Sequence, residues 1–369
     1  MTTSALGQEP SVALRTEDFA VLAQARLDPA VWDFLSGGSG AERTLAGNLR
    51  AFDAVRLRPR ILTGTAEPDT HVDVFGHRWP APFAIAPVAC HRLLHPEGEV
   101  ATVRGAGALG AVTIVPMLAS RTLEDIRAAA GAPLWLQLFW TRDRGLMTEL
   151  VRRAESAGYG ALVITSDMPV MARRLRDLRN RFVIEPELGP VNLGSAGVQV
   201  RGGEGESGVR AHAARTFDPT ATWHDLEWLR STTRLPVIVK GVLTDRDAAL
   251  AVRHGAQGVV VSNHGGRQLD GAQSSLTALR KVADALGGRV PVLMDGGVRR
   301  GVDVLVALAA GADAVLLGRA PMWGLAAAGE RGVREVLALI LEELEEAMLL
   351  CGAATTADLG PGLLSWSAP

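Results

Sequence analysis

The chain has 369 residues, of which 47% are hydrophobic and 21% charged, enough apolar material for two domains or one large α/β barrel. A formal net charge of −2 excludes the basic footprint of a nucleic-acid binder or of a protein drawn to an anionic membrane. Two cysteines, Cys90 and Cys351, exclude a disulfide framework and suit a reducing cytoplasm, which is the expected location. Met1–Pro10 carries neither the basic nor the apolar stretch of a signal peptide, no run approaches a membrane span, and the closing Ser-Ala-Pro is no peroxisomal address.

Residues 1–15 are polar and aperiodic and read as a flexible tail. Thr16-Glu-Asp-Phe19 opens a helix with Thr16 as its N-cap and acids in the first turn. A second helix begins near Pro29, carries Val31-Trp-Asp-Phe-Leu35, and stops at Ser36-Gly37-Gly38. From Pro82 onward, short apolar runs alternate with helical segments. Strands are expected at Phe83–Ala86, Val112–Val115, Leu134–Leu138, Ala161–Thr165, Val237–Lys240, Gly258–Val261, Val290–Leu293 and Ala314–Leu317. Asp143–Ala157, Thr244–His254 and Arg300–Ala310 are among the intervening helices.

Eight such units predict an α/β fold of the (β/α)8 TIM-barrel type, in a single domain over residues 16–369 with an N-terminal helical extension. A doubly wound sheet is disfavoured, because no Gly-x-Gly-x-x-Gly follows the first strand. One connection, from Thr165 to a helix near Trp223, is too long for a simple loop. It predicts a mobile lid over about 175–220, with Gly202–Gly208 acidic and flexible.

The chain is organised around Val259-Val-Val-Ser-Asn-His-Gly-Gly-Arg-Gln-Leu-Asp270, a buried strand that stops in a polar loop where two glycines permit a sharp turn. His264 and Arg267 follow the sixth strand, at the rim where such barrels place their chemistry. The other strand ends supply Gln137 at the third, Thr165 and Asp167 with Arg174 beyond at the fourth, and Lys240 at the fifth. Asp295-Gly-Gly-Val-Arg299 follows the seventh strand, and Gly318-Arg319 the eighth. Gly296, Gly297 and Gly318 can turn backbone N–H groups toward an anion, and Arg299 and Arg319 add charge, a phosphate-binding pattern. Lys240, behind Pro-Val-Ile-Val, needs an anionic partner, either a nearby carboxylate or a ligand. Cys90-His91-Arg-Leu-Leu-His95 resembles metal-ligand material, but no second cluster completes it and no metal is expected.

Ser262-Asn-His-Gly-Gly-Arg-Gln-Leu-Asp270 closely resembles the signature of the FMN-dependent 2-hydroxy acid oxidases and dehydrogenases, and the resemblance runs from about Phe19 to Cys351. The Phe34-Leu-Ser-Gly-Gly-Ser-Gly run is most similar to that of the hydroxymandelate oxidases. The resemblance implies FMN as cofactor, held by Pro87, Val88, Ala89, Gln137, Thr165, Lys240, Ser262, Asp295, Gly296, Gly297, Arg299, Gly318 and Arg319. It casts His264 as the base, Asp167 as the carboxylate that stabilises the resulting imidazolium, and Lys240 as the cation against N1 and O2 of the flavin. Arg267 and Arg174 would clamp the substrate carboxylate. A homo-oligomer, a tetramer by resemblance, is also implied, with oxygen or another electron acceptor as second partner.

Two phenols common in this family are missing. Phe34 and Phe139 stand where tyrosines are usual, Leu118 stands where glycolate oxidase has Trp, and the single tyrosine, Tyr159, lies away from the rim. The expected reaction is oxidation of a 2-hydroxy acid with an aromatic or bulky side chain to the 2-oxo acid. Hydride transfer and carbanion formation are both open. The alternatives are oxidative decarboxylation of the same acids, a Schiff-base aldolase using Lys240, or a flavin-bound protein without turnover.

Overall fold

The computed structural model describes residues 13–194 and 207–366. The eight expected strands form a closed, all-parallel barrel: β1 (Phe83–Ile85), β2 (Thr113–Pro116), β3 (Leu134–Phe139), β4 (Leu162–Thr165), β5 (Val237–Val242), β6 (Gly258–Val261), β7 (Val292–Asp295) and β8 (Ala314–Leu317). β8 closes on β1 through Val315–Phe83, Leu316–Ala84 and Leu317–Ile85. Four strands end later than the sequence indicates, at Pro116, Phe139, Val242 and Asp295. Phe139 lies within β3, and β5 continues past Lys240 to Val242 through an irregularity at Gly241.

Three helices precede the barrel: α1 (Thr16–Arg26), α2 (Pro29–Ser36) and α3 (Arg43–Asp53). Thr16 is not the N-cap of α1. Arg15 takes that position, Asp18 bonds back to it, and the Thr16 hydroxyl instead donates to the Arg299 carbonyl at 3.0 Å, fixing the extension to the phosphate-type loop. Of the expected tail, residues 1–12 lie outside the described residues.

α4 (Glu99–Gly107), α5 (Leu123–Ala129) and α6 (Arg144–Ala157) follow the first three strands. The long connection after β4 is not structureless. It contains α7 (Leu175–Arg179) and α8 (Gly208–Thr216) and leads into α9 (Trp223–Ser231); residues 195–206, including most of the acidic glycine run, lie outside the described residues. α10 (Asp245–Arg253), α11 (Ser275–Leu286), α12 (Gly301–Ala309) and α13 (Arg319–Cys351) complete the shell, with α13 kinked at Ala328–Gly329. A strand at 364–366 pairs antiparallel with 55–57, tying the C-terminal end of the described chain to the segment that follows α3.

Side-chain alternation explains how the barrel carries chemistry. Ala84, Ile114, Trp135, Val163, Ile238, Val260, Leu293 and Leu316 form a dry interior cluster. A hairpin, 72–74 with 77–79, plugs its lower end, placing Phe75 and Trp79 at 5.7 and 5.3 Å from the Trp135 ring. Two residues further along each strand the side chain points the same way. Those positions are Ala86, Pro116, Gln137, Thr165, Lys240, Ser262, Asp295 and Gly318. An apolar barrel is thus capped at its C-terminal end by a layer rich in polar groups.

Candidate active site

Above that layer lies an open cavity. It is lined by Pro87, Val88 and Ala89, by Gln137, Thr165, Lys240, Asp295, Gly296, Gly297, Arg299, Gly318 and Arg319, and by Phe34, Leu118, Phe139, Arg174, His264 and Arg267. Of the residues expected at the site, only Asp167 and Ser262 do not line this cavity; both bond to residues that do.

The loop carrying His264 turns in the left-handed region at three successive residues, His264 (φ 60°), Gly265 (61°) and Gly266 (77°). Glycine is required at Gly266, where an added Cβ would lie 2.5 Å from the Leu45 backbone nitrogen. A non-glycine residue in this region is strained, and the surroundings hold it there. The Asn263 amide accepts from Gly266 N–H at 3.1 Å and exchanges two bonds with Asn48 of α3, at 2.8 and 2.7 Å. Asp270 receives the backbone N–H groups of Ala41 and Thr44.

His264 Nδ1 lies 2.9 Å from Asp167 Oδ1, so the ring's other nitrogen is the one left for a ligand. Burial opposes the Asp167 charge, but His264 and then Lys240 outweigh it and hold the carboxyl below its usual range. Burial pushes the His264 pKa below that of an ordinary histidine. Asp167 raises it, Lys240 and Arg174 lower it, and the net direction is down. The imidazole is therefore neutral at neutral pH, with a lone pair available on Nε2. Asp167 Oδ2 is buried without a hydrogen-bond partner among the described residues.

Lys240 does have the carboxylate partner that its sequence position demands. Its Nζ lies 3.0 Å from Asp295 Oδ2 and donates to Ser262 Oγ at 2.9 Å. Ser262 in turn donates to Asp295 Oδ1 at 2.5 Å and accepts the His264 backbone N–H at 3.0 Å. Burial disfavours the ammonium, but Asp295 and Asp167 outweigh it and raise the Lys240 pKa. An amine held toward its charged form by two carboxylates is a poorer Schiff-base nucleophile, which argues against the aldolase alternative.

Four arginines, Arg174, Arg267, Arg299 and Arg319, share the cavity, and among the described residues none of them forms an ion pair with a carboxylate. Arg267 donates to the carbonyls of Phe34 and Gly37 at the end of α2, at 2.7 and 2.8 Å. Arg319 donates to Leu35, Gly265 and Gly37, while Arg299 lies over the Trp323 ring. Arg174 is buried rather than part of a solvated helix face, as its neighbour Arg176 partly is. Burial, and then the charge of Arg267, press down the pKa of Arg174 and Arg319, with Arg299 adding to the pressure on Arg319. Such a concentration of buried positive charge is stable only when anions enter it. The division of the four suits two anions. Arg299 and Arg319 stand beside Gly296, Gly297 and Gly318, where a Cβ at Gly318 would meet nothing nearer than 4.0 Å. Arg174 and Arg267 stand beside His264. The first set fits the phosphate of FMN, and the charged Lys240 fits the electron-accepting edge of its ring.

Fold and site together define a (β/α)8 protein whose cavity could hold a phosphorylated cofactor beside the His264–Asp167 pair. The chain belongs to the FMN-dependent dehydrogenase family, whose sequence profile matches residues 23–366. Among its relatives are a 4-hydroxymandelate oxidase of Amycolatopsis orientalis, 48% identical over 322 residues (87% of this chain, 90% of that protein), and a peroxisomal (S)-2-hydroxyacid oxidase of Arabidopsis thaliana, 43% identical over 346 residues (94% of each). A crystal structure of mandelate oxidase with (S)-4-hydroxymandelic acid superposes with a TM-score of 0.91 at 45% identity, covering 96% of this chain and 98% of that one.

Sequence reasoning missed three parts of the site. Asn48 sits on a helix remote in sequence from the loop it braces. Gly241 was visible in Val-Lys-Gly but carried no assigned task. The far wall comes from the long connection, where Met168, Met171, Ile184, Val209, His212 and Phe217 line the cavity without any periodic signal.

Proposed function

We propose that the protein oxidises a 2-hydroxy acid with an aromatic or bulky apolar side chain to the 2-oxo acid, with oxygen as electron acceptor. The observation that carries the reaction is the His264–Asp167 pair opening onto the same cavity as Arg174 and Arg267. The two arginines bind the substrate carboxylate through charge-assisted bonds and so orient its 2-carbon. His264 takes a proton at Nε2, from the 2-hydroxyl if hydrogen leaves the 2-carbon as hydride. The imidazolium that results sits beside the Asp167 carboxylate. Bound FMN supplies the two-electron acceptor. Lys240, held charged by Asp295, is the group that would favour a reduced, anionic ring.

Support for a bulky side chain comes from the aromatic residues of the cavity wall. Phe139 packs 4.8 Å from Phe217 and stacks parallel to His264 at 6.3 Å, with an interplanar angle of 7°. Phe34 stacks on Phe182 at 4.6 Å and lies under the Arg267 guanidinium. Neither phenylalanine can donate to a carboxylate, so small acids lose a hydrogen bond, worth about 1.5–3 kcal/mol to a charged group. Burying an aryl group recovers a similar amount, about 1.5–3 kcal/mol. The test is anaerobic stopped-flow reduction of the bound flavin by glycolate, lactate, mandelate and 4-hydroxymandelate. Mandelates should be the most efficient; a preference for glycolate would overturn the bulky-substrate reading, and no reduction by any of the four would overturn the reaction.

A cytoplasmic, homo-oligomeric enzyme is part of the same proposal. Sedimentation of the purified protein tests the oligomeric state. Among the described residues no helix is long and apolar enough to cross a membrane.

A further inference from the structure

We propose that His224, Glu227 and His254 form a surface binding site for a divalent transition-metal ion, separate from the flavin cavity. His224 and Glu227 stand three residues apart on α9 and therefore share one face of that helix. His254 is the residue that ends α10. Its Nδ1 lies 2.8 Å from Glu227 Oε1, and His224 Nδ1 lies 3.2 Å from Glu227 Oε2. One donor atom from each of the three residues falls within 4.8 Å of the others.

These separations are close to what a metal requires. With Zn–N and Zn–O bonds of about 2.0–2.1 Å in a tetrahedral site, neighbouring donors are ~3.4 Å apart. The adjustment needed falls on His224, whose side chain is 81% exposed and has room to rotate. The other imidazole is already positioned. His254 is only 17% exposed, its ring lies over Trp223 at 6.0 Å with an interplanar angle of 18°, and the His224 ring meets it edge-on at 5.7 Å.

At present each imidazole presents Nδ1 to the carboxylate. A metal ion would take the place of that hydrogen-bonding proton, with the proton moving to Nε2, so two neutral histidines and one carboxylate become its ligands. Two nitrogens and one oxygen select Zn²⁺, Ni²⁺ or Cu²⁺ over Mg²⁺ and Ca²⁺, which take oxygen ligands. Three protein ligands leave at least one position for water. The ion would join α9 to the end of α10. It would thereby hold the start of α9, which directly follows the segment that brings Phe217 to the cavity wall. None of the three ligands touches the flavin cavity, so the site is one of stability, not of turnover.

The test uses the full chain with FMN bound, stripped with a chelator and titrated with Zn²⁺ by isothermal calorimetry, with thermal unfolding measured in parallel. One Zn²⁺ per chain and a rise in Tm that increases with Zn²⁺ concentration are expected. Glu227→Gln and His254→Gln should each weaken binding by at least about tenfold, since even the outer partners of metal ligands are worth ~10–100-fold. Both variants should keep FMN content and anaerobic flavin reduction at wild-type values, which shows that they are folded. Mg²⁺ in place of Zn²⁺ should give no shift. Absence of Zn²⁺ binding, or binding that survives both substitutions unchanged (an adventitious ion only), would overturn the proposal.

Discussion

Gly241 faces Asp167 so closely that a β-carbon on it would lie 2.5 Å from Asp167 Cβ and 2.9 Å from Asp167 Cγ. The glycine has φ 107°, a conformation that L side chains rarely adopt, and it forms the irregularity in β5 immediately after Lys240. The bend lets β5 present Lys240 inward while Asp167 comes down from the end of β4 to reach His264. One missing methyl group thus sets the spacing of three charged or titrating groups.

Gly241→Ala should push Asp167 away from His264 without touching the phosphate-type loops. FMN content should stay near one per chain, while anaerobic flavin reduction falls by about 10²-fold, the usual effect of misplacing a reacting group by an ångström. Stopped-flow absorbance of the flavin band is the measurement. A variant that retained FMN and reduced it at the wild-type rate would show that the close approach has no functional weight.

The pH dependence of reduction follows from the His264 environment. Its pKa is depressed from the ordinary ~6.5, so the neutral, proton-accepting form persists to lower pH than in a solvated histidine. The reduction rate should rise with pH and level off at or below that ordinary value. Asp167 is the group that raises the His264 pKa, so Asp167→Asn should move the rising limb to still lower pH while lowering the plateau. A limb that moved upward would contradict the assigned pair. His264→Ala should lower the plateau by about 10²–10⁴-fold with FMN retained.

Lys240→Met should be felt in stability as well as in rate. It leaves Asp295, whose side chain is 9% exposed, without the cation 3.0 Å away, and breaking a buried pair from one side destabilises by about 3–5 kcal/mol. The Ser262 hydroxyl remains as one donor, so the loss should fall at the lower end of that range. Thermal unfolding should show a lower Tm, and flavin reduction should slow more than substrate affinity weakens. An unchanged Tm would mean that Asp295 finds another partner.

The sequence made the barrel legible because its strands are short apolar runs at regular spacing, and because polar residues recur at or just past the ends of several runs. Lys240, Thr165, Gln137 and Asp295 could be placed at one rim on that ground alone. The His264 loop was legible from its two glycines. What could not be read is what depends on distant packing. Asn48 and Asn263 are 215 residues apart, and neither announces the other. Arg319 reads as a phosphate ligand, yet it also donates to three backbone carbonyls around the end of α2. The connection after β4 lacks periodicity, so neither the helices within it nor Phe217 at the cavity wall could be read from it.

That connection returns to the barrel through Arg144, at the start of α6, and its role can be tested. The Arg144 guanidinium lies between two indoles, 5.4 Å from the Trp140 ring and 5.6 Å from the Trp228 ring. It also pairs with Asp218 at 2.8 Å and with Asp225 at 2.7 Å. These contacts hold the segment entering α9 against the end of β3, where Asp218 N–H donates to the Trp140 carbonyl and Arg142 N–H to that of Thr216. Phe217 lies between those two bonds, and its ring is thereby pressed onto Phe139. Arg144 never reaches the cavity, but it fixes the wall against which an aryl group would rest. Arg144→Met removes both ion pairs while keeping apolar bulk between the indoles. The double pair is about a quarter exposed on the arginine side, so the effect on global stability should be modest, about 1 kcal/mol. The larger effect should be on selectivity, because a loosened Phe217 contributes to binding an aryl side chain and nothing to binding a methyl group. Flavin reduction by mandelate should lose about tenfold in efficiency while reduction by lactate changes little, a difference of ~1.4 kcal/mol. Equal losses for both acids would show that Arg144 supports the fold of the whole rim and not the aryl wall.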